Sequence, residues 1–262
     1  MDNNNIVFFD DNMKGMPKGE RVEILAANGL FVIDRVYNHD FLVAEGCTRV
    51  WQGDYTIPGL RSMQEGLKYN LPLIPPQILD ATEGLFDWVV DTYSSESMVL
   101  LYFSPLAPGG KKWQVRTPIK QVVTAGSVHY TWPDTPRGFA STGDIHSHAS
   151  GGAFHSGVDD GDEEGRTGLF VTLGNNGSSQ RRTPKDYDCS FMIRGKRFDL
   201  DPEEIFEGFE KKFAAKIFPE EWKYTVEKPK PKPVKSKHNN FREIPGVPNI
   251  GQEFAHDEER RY

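Results

Sequence analysis

Residues 75–103 constrain the fold more than any other stretch of the chain. After Pro75-Pro76, which suits a helix start, Ile78, Leu79, Thr82, Leu85, Phe86, Val89, Val90 and Tyr93 recur at helical spacing. Such a stripe covers one face of a helix and needs an apolar surface to lie on. One follows at once. Met98-Val99-Leu100-Leu101-Tyr102-Phe103 is an unbroken apolar run, the mark of a strand buried on both faces. A helix laid on a buried strand predicts an α/β layer architecture.

The remaining segments fill in that architecture. Residues 1–70 read as a small N-terminal module of short strands. Val22–Leu25 and Gly29–Ile33 flank a hairpin-like turn at Ala26-Ala27-Asn28, and Phe41–Ala44 and Thr48–Trp51 form a second pair around Glu45-Gly46-Cys47. Structural packing is the role expected of this module, with a substrate or partner surface as the alternative. Residues 71–225 hold the expected catalytic domain. Its strands are expected at Met98–Phe103, Trp113–Arg116, Lys120–Thr124, Ser127–Trp132, Gly138–Ile145, Gly168–Gly174, Tyr187–Ile193 and Lys196–Leu200. Asp201-Pro202-Glu203-Glu204 reads as the start of a second helix: a capping carboxylate, proline at the first position, and acids near the positive end of the dipole. Ile205, Phe206, Phe209, Phe213 and Ile217 would be its apolar stripe. Two helices against a mixed sheet make an α/β sandwich. From about residue 226 the composition changes, with Lys228-Pro229-Lys230-Pro231-Lys232-Pro233 opening an extended, polyproline-like segment. The tail to Tyr262 is too poor in apolar residues to offset its ordering entropy, so disorder is expected over 226–262.

Composition excludes several classes. The longest apolar runs fall well short of the roughly 18 residues that span a bilayer, and Met1–Asn5 lacks the basic start and apolar stretch of a secretory signal. Two cysteines, Cys47 and Cys189, rule out a disulfide framework and suit a reducing cytoplasm. A net charge of −7 argues against a nucleic-acid binder.

His146-Ser147-His148 carries the chemistry. In an extended segment residues i and i+2 project to one face, so both imidazoles can reach one metal. Ser156 and then Asp159 follow, in a segment that reads as the start of a short helix turning the carboxylate back toward the histidines. Two imidazoles and one carboxylate, with no fourth protein ligand, suit a catalytic zinc that keeps an open position. Taken alone, Ser-x-x-Asp is also an ordinary helix-capping pattern, and Asp160–Gly165 could be a solvated acidic loop.

The whole string, His-x-His, seven residues, Ser, two residues, Asp, resembles the signature of the JAMM (MPN-plus, or JAB) zinc metallopeptidases, closest to the prokaryotic JAB branch. The resemblance covers about residues 74–217. It implies the JAB/MPN fold, with a mixed sheet sandwiched by helices, and zinc, one ion per chain, held by His146, His148 and Asp159. Asp160 is the competing ligand, disfavoured by the spacing. It also implies a glutamate at the start of a core strand as general base, and Glu96, directly before Met98–Phe103, matches; Glu83, in the middle of the helix, is the next candidate. Ser156 would donate to the oxyanion. Family members usually carry proline after the second histidine; Ala149 stands here, and a looser loop is expected.

The activity so implied is isopeptide hydrolysis at the C-terminus of a ubiquitin-like protein, with activating and conjugating enzymes of the same operon as further partners and antiphage defence as one setting. Trimming of a modifier or sulfur-carrier precursor is the nearest alternative. A non-catalytic MPN-type scaffold is another, disfavoured by retention of Glu96, His146, His148, Ser156 and Asp159. A zinc deaminase would want Pro-Cys-x-x-Cys, which is missing from this sequence. The composition of the tail also yields a test. Removing the chain beyond about residue 226 should leave cooperative folding and metal content intact, and a truncated protein that unfolds on a thermal scan would contradict that expectation.

Overall fold

The structure is a computed structural model that describes residues 6–38, 40–53, 56–155, 157, 165–180, 183–211 and 217–229. It is a mixed α/β fold in which strands predominate. A five-stranded sheet comes first: β1 (Val7–Phe8), β2 (Arg21–Ala26), β3 (Gly29–Asn38), β4 (Phe41–Trp51) and β5 (Gly66–Tyr69), in that order. Helix α1 (Pro76–Tyr93) follows, and then β6 (Met98–Phe103), β7 (Trp113–Arg116), β8 (Lys120–Thr124), β9 (Ser127–Thr131), β10 (Ala140–Ser147), β11 (Gly168–Gly174), β12 (Asp186–Ile193), β13 (Lys196–Asp199) and β14 (Val226–Glu227). Six of these form a sheet in the order β13-β12-β11-β10-β6-β7, and β14-β8-β9 form a small third sheet.

The six-stranded sheet has two unlike faces. Val99, Leu101 and Phe103 of β6, Ile145 of β10, Leu169, Val171 and Leu173 of β11, and Phe191 and Ile193 of β12 point into one core. Leu79, Leu85, Phe86 and Val89 of α1 cover it, with Val43 and Ala44 of β4 joining from the first sheet. The other face carries Met98, Leu100 and Tyr102, which Val128, Tyr130 and Phe139 partly cover. Every residue of β6 is buried, as its unbroken apolar run requires.

Three expectations change. The two strands expected around Glu45-Gly46-Cys47 are one continuous strand, β4. Gly46 is not a turn residue there: a Cβ on it would lie 3.0 Å from Ile193 and from Phe198, so glycine lets the two sheets approach. The helix expected from Asp201 forms its capping box but stops after one 3-10 turn, Pro202–Glu204. Phe206 bridges to Ile74 instead, Glu207 N–H donates to Ile74 O at 3.0 Å, and Gly208 sits at φ +58°. Tertiary pairing has taken residues whose local pattern favours a helix. α1 is the one α-helix that lies wholly among the described residues, where Gly157 is also helical, and Phe213 lies outside them. Finally, Val226 and Glu227, read from the sequence as the first tail residues, pair with Gln121 and Val122 of β8. A truncation that spares the fold therefore belongs after Pro229. No helix among the described residues is long and apolar enough to cross a membrane.

β10 pairs antiparallel with β6 and parallel with β11. Gly143 makes the parallel pairing possible. It sits at φ +143°, and a Cβ there would come within 1.7 Å of Leu169 O. Gly143→Ala should destabilise the fold by on the order of 3 kcal/mol or more, read as a lower urea midpoint. Gly126→Ala, in open space and without positive φ, should move the midpoint by no more than about 0.5 kcal/mol. Equal effects would refute the close-approach account.

Candidate functional site

Alternation along β10 sends Ile145 into the core and turns Asp144 and His146 to the opposite face. His148 follows just past the strand end, its N–H donating to Leu173 O at 2.9 Å, so the pairing with β11 continues under it. The His146 and His148 rings lie 5.4 Å apart, tilted by 45°. His146 Nε2 is 3.2 Å from Thr172 Oγ1, its register partner on β11, and His146 Nδ1 is 3.8 Å from Asp144 Oδ1. Phe154 meets the His148 ring edge-on at 4.6 Å.

Glu96 comes from the segment that leads into the neighbouring strand, β6. His146 pairs with Met98, and the same register carried two residues further sets Glu96 opposite His148. Two bonds hold that extension: Ser147 N–H donates to Ser97 O (2.9 Å), and Ser97 N–H donates to Ser147 Oγ (3.0 Å). Glu96 N–H donates to Thr124 O at 2.9 Å, tying it to β8 as well. Glu96, His146 and His148 line one cleft of about 790 Å³, with Met98, Val128, Tyr130, Phe154 and Arg166 among its walls. That volume is within the range of small-ligand and peptide clefts.

Hydrogen bonds hold the described residues that follow His148 at several points. Ala149 adopts φ +47° and is buried. Its carbonyl accepts from the Asn176 N–H (2.9 Å) and from Asn176 Nδ2 (3.2 Å). Gly151 N–H donates to His148 O (2.9 Å), and Ala153 N–H to Asp186 Oδ2 (3.1 Å). A proline fixed near φ −65° cannot take the conformation of Ala149.

The sequence reading missed a second polar cluster at the end of this loop. Asp188 Oδ2 accepts from both the His155 N–H and His155 Nδ1, each at 3.0 Å. His155 Nε2 faces Ser190 Oγ at 3.4 Å, and Arg197 donates to that same oxygen at 2.8 Å. Carboxylate, imidazole and hydroxyl in sequence mimic a serine-hydrolase triad. Ser190, however, has no exposed surface, and its oxygen is occupied by Arg197. The cluster fastens the loop to β12 and offers no nucleophile. Its only sequence signal was alternation in Asp186, Asp188 and Ser190, which places three polar groups on one face. Cysteine chemistry is disfavoured too: burial, with Glu65 and Glu45 nearby, pushes the Cys47 thiol up to about 11, and burial raises Cys189 as well.

Two imidazoles on one tetrahedral zinc, bound at about 2.05 Å, have ring centres about 5 Å apart. The 5.4 Å separation of His146 and His148 fits that. Among the described residues no three His, Cys, Asp or Glu side chains form a ligand group. Ser156, Asp159 and Asp160 lie outside the described residues, so the expected third ligand and oxyanion donor have no position here. No protein-family model matches the chain, and no curated protein matches it.

Burial is the largest influence on His155 and lowers its pKa, with Arg197 and His146 acting the same way against the pull of Asp188. A histidine whose folded pKa lies below its unfolded value, about 6.5, contributes stability above that value and loses it as pH falls toward the folded one. Native stability should therefore drop as pH falls below about 6.5, and His155→Gln should flatten the dependence by up to about 1.4 kcal/mol per pH unit. Denaturant titrations at several pH values would show this, and parallel curves for the two proteins would refute it.

Proposed function

We propose that this protein is a zinc-dependent isopeptidase of the JAMM kind, on a JAB/MPN-like version of its mixed α/β fold. Its substrate is the amide bond between the C-terminus of a ubiquitin-like protein and a target lysine or C-terminal extension, in a cytoplasmic setting. One observation carries the reading: His146 and His148, at the spacing two imidazoles need on one zinc, open into the same cleft as Glu96.

Zinc held by His146, His148 and Asp159 would supply Lewis acidity, bringing the pKa of a water down toward about 7 and polarising the scissile carbonyl. Glu96 does the proton work. Placed opposite His148 with its backbone anchored to β8, its carboxylate takes a proton from the attacking water and delivers it to the leaving amine, a service worth about 10²- to 10⁴-fold. The Ser156 hydroxyl donates to the carbonyl oxygen as negative charge builds there. The walls formed by Met98, Val128, Tyr130 and Phe154 offer apolar surface to the extended segment that carries the scissile bond. Departure from the family pattern at Ala149 leaves the backbone next to His148 in place, because the Asn176 bonds fix it there.

Elemental analysis of the purified protein should find about one zinc per chain. Glu96→Gln should keep that zinc and lose at least about 100-fold in cleavage of a ubiquitin-like protein joined through its C-terminus to a lysine. His146→Ala and His148→Ala should lose both metal and activity. Asp159→Asn should lose metal and Asp160→Asn should keep it. A metal-free wild type, or unchanged turnover of Glu96→Gln, would overturn the reading.

A further inference from the structure

We propose that Ser147, the residue between the two histidines, is a positioning residue for Glu96: its hydroxyl closes the last rung between the β6 and β10 segments and so holds the glutamate opposite His148. The register that pairs His146 with Met98 sets Ser147 opposite Ser97 and His148 opposite Glu96. Neither serine has exposed surface. Two residues that face each other as a hydrogen-bonded antiparallel pair exchange two main-chain bonds. Ser147 and Ser97 exchange one. Ser147 N–H donates to Ser97 O at 2.9 Å, but Ser97 N–H donates to Ser147 Oγ, at 3.0 Å. The side chain takes the place of the main-chain carbonyl at the point where β10 ends and the backbone turns toward the positive φ of Ala149.

A residue without an acceptor at 147 would leave the Ser97 N–H unpaired where water does not reach, at the full desolvation cost of that group. The segment escapes that cost by moving away from β10, and Glu96, next in the chain, moves with it. The bond from Glu96 N–H to Thr124 O ties the glutamate to β8 and does not fix it relative to His148. The rung does. It makes Glu96 and His148 the non-hydrogen-bonded pair that follows, in which Cα atoms lie about 4.5 Å apart and side chains stand closest. Alternation turns Ser147 itself to the core side with Ile145. Its hydroxyl is therefore directed away from substrate and metal and acts through Glu96. The facing hydroxyl of Ser97 is buried without a hydrogen-bond partner, so only its main chain enters the rung. The catalytic consequence rests on the metallopeptidase reading; the rung does not.

The test uses the full-length protein, with amide exchange and nuclear Overhauser spectra beside zinc content and cleavage kinetics. In the wild type the Ser97 N–H should be protected, and the Hα protons of Glu96 and His148 should be in contact across the strands. Ser147→Ala should speed exchange at Ser97 by about 10-fold or more and weaken that contact, with Leu101 N–H unaffected. Ser97→Ala, which keeps the N–H, should leave the protection as it is. Ser147→Ala should also keep one zinc per chain and lose about 10- to 100-fold in kcat, with KM within about twofold. Ser147→Thr, which retains the hydroxyl, should restore both protection and turnover. Ser147→Cys, with a weak acceptor, should fall between, and it serves if Ser147→Ala fails to fold. An unprotected Ser97 N–H in the wild type, or protection and contact unchanged in the variants that lack the hydroxyl, overturns the proposal. So does lost protection with kcat unchanged, or loss of zinc in Ser147→Ala, which would place the effect on the histidines. A wild type without zinc or cleavage, in which Ser147→Ala still loses the protection and the Glu96–His148 contact, would sustain Ser147 as the positioning residue and overturn the metallopeptidase reading alone.

Discussion

Parallel pairing of β10 with β11 is the constraint on which the rest of the molecule depends. Two adjacent parallel strands cannot be joined by a tight turn, so the chain leaving Ser147 must travel through residues 148–167 before β11 begins at Gly168. That long connection begins at the carboxyl end of β10, where His146 and His148 emerge. The pairing also fixes the faces. Register sets His146 beside Thr172 and Asp144 beside Phe170, while Ile145 is paired with Val171 on the core side. A one-residue slip would turn the histidines into the core and Ile145 toward the cleft. Gly143, in contact with the β11 backbone, marks where this register is locked.

The helix side of the sheet and the loop side are tied together by a buried ion pair. Lys185 is fully buried, and its Nζ donates to Asp87 Oδ1 of α1 at 2.6 Å and to Asn176 Oδ1 at 2.9 Å. Asp87 also accepts from the Gly177 N–H, and Asn176 reaches Ala149 O and Leu173 O with its amide nitrogen. Desolvating such a pair costs much of its own attraction, so its contribution to net stability is small. Its geometric effect is larger. Every group in the chain from helix to loop has a partner only in this arrangement, and removing one would strand a buried charge. The backbone after His148 is thereby set by the packing of a helix on the opposite face.

The sequence made the fold readable wherever period and burial agreed. α1, β6, β7, β8, β10 and β11 lie within a few residues of their expected places, because each has one dominant pattern with no competing partner. Failures occurred where tertiary contact outweighed local preference. Gly46 resembles a turn residue in one dimension, and only the approach of Ile193 and Phe198 explains a glycine inside a strand. The stripe after Asp201 reads as a helix, but a bridge to Ile74, some 130 residues earlier, ends it. Of the site, the histidine pair and Glu96 were legible as short-range patterns. Asp188 and Arg197 were not, since their roles depend on strands brought side by side by register and leave no spacing to detect.

Ala149 shows how the two kinds of information combine. Read as sequence, it is a missing proline, and a missing proline suggests a loosened loop. At φ +47° the residue stands in a region that proline cannot enter and that alanine enters at a cost of about 1–2 kcal/mol. Two bonds from Asn176 to its carbonyl and the bond from Gly151 N–H to His148 O hold it there. Proline would stiffen such a loop through the chain itself, by removing freedom in φ. Here the stiffness comes from outside the loop, through side chains anchored on α1 and on the β11–β12 connection. A loop fixed in that way keeps its shape only while its neighbours keep theirs, which makes the geometry after His148 a property of the whole layer packing.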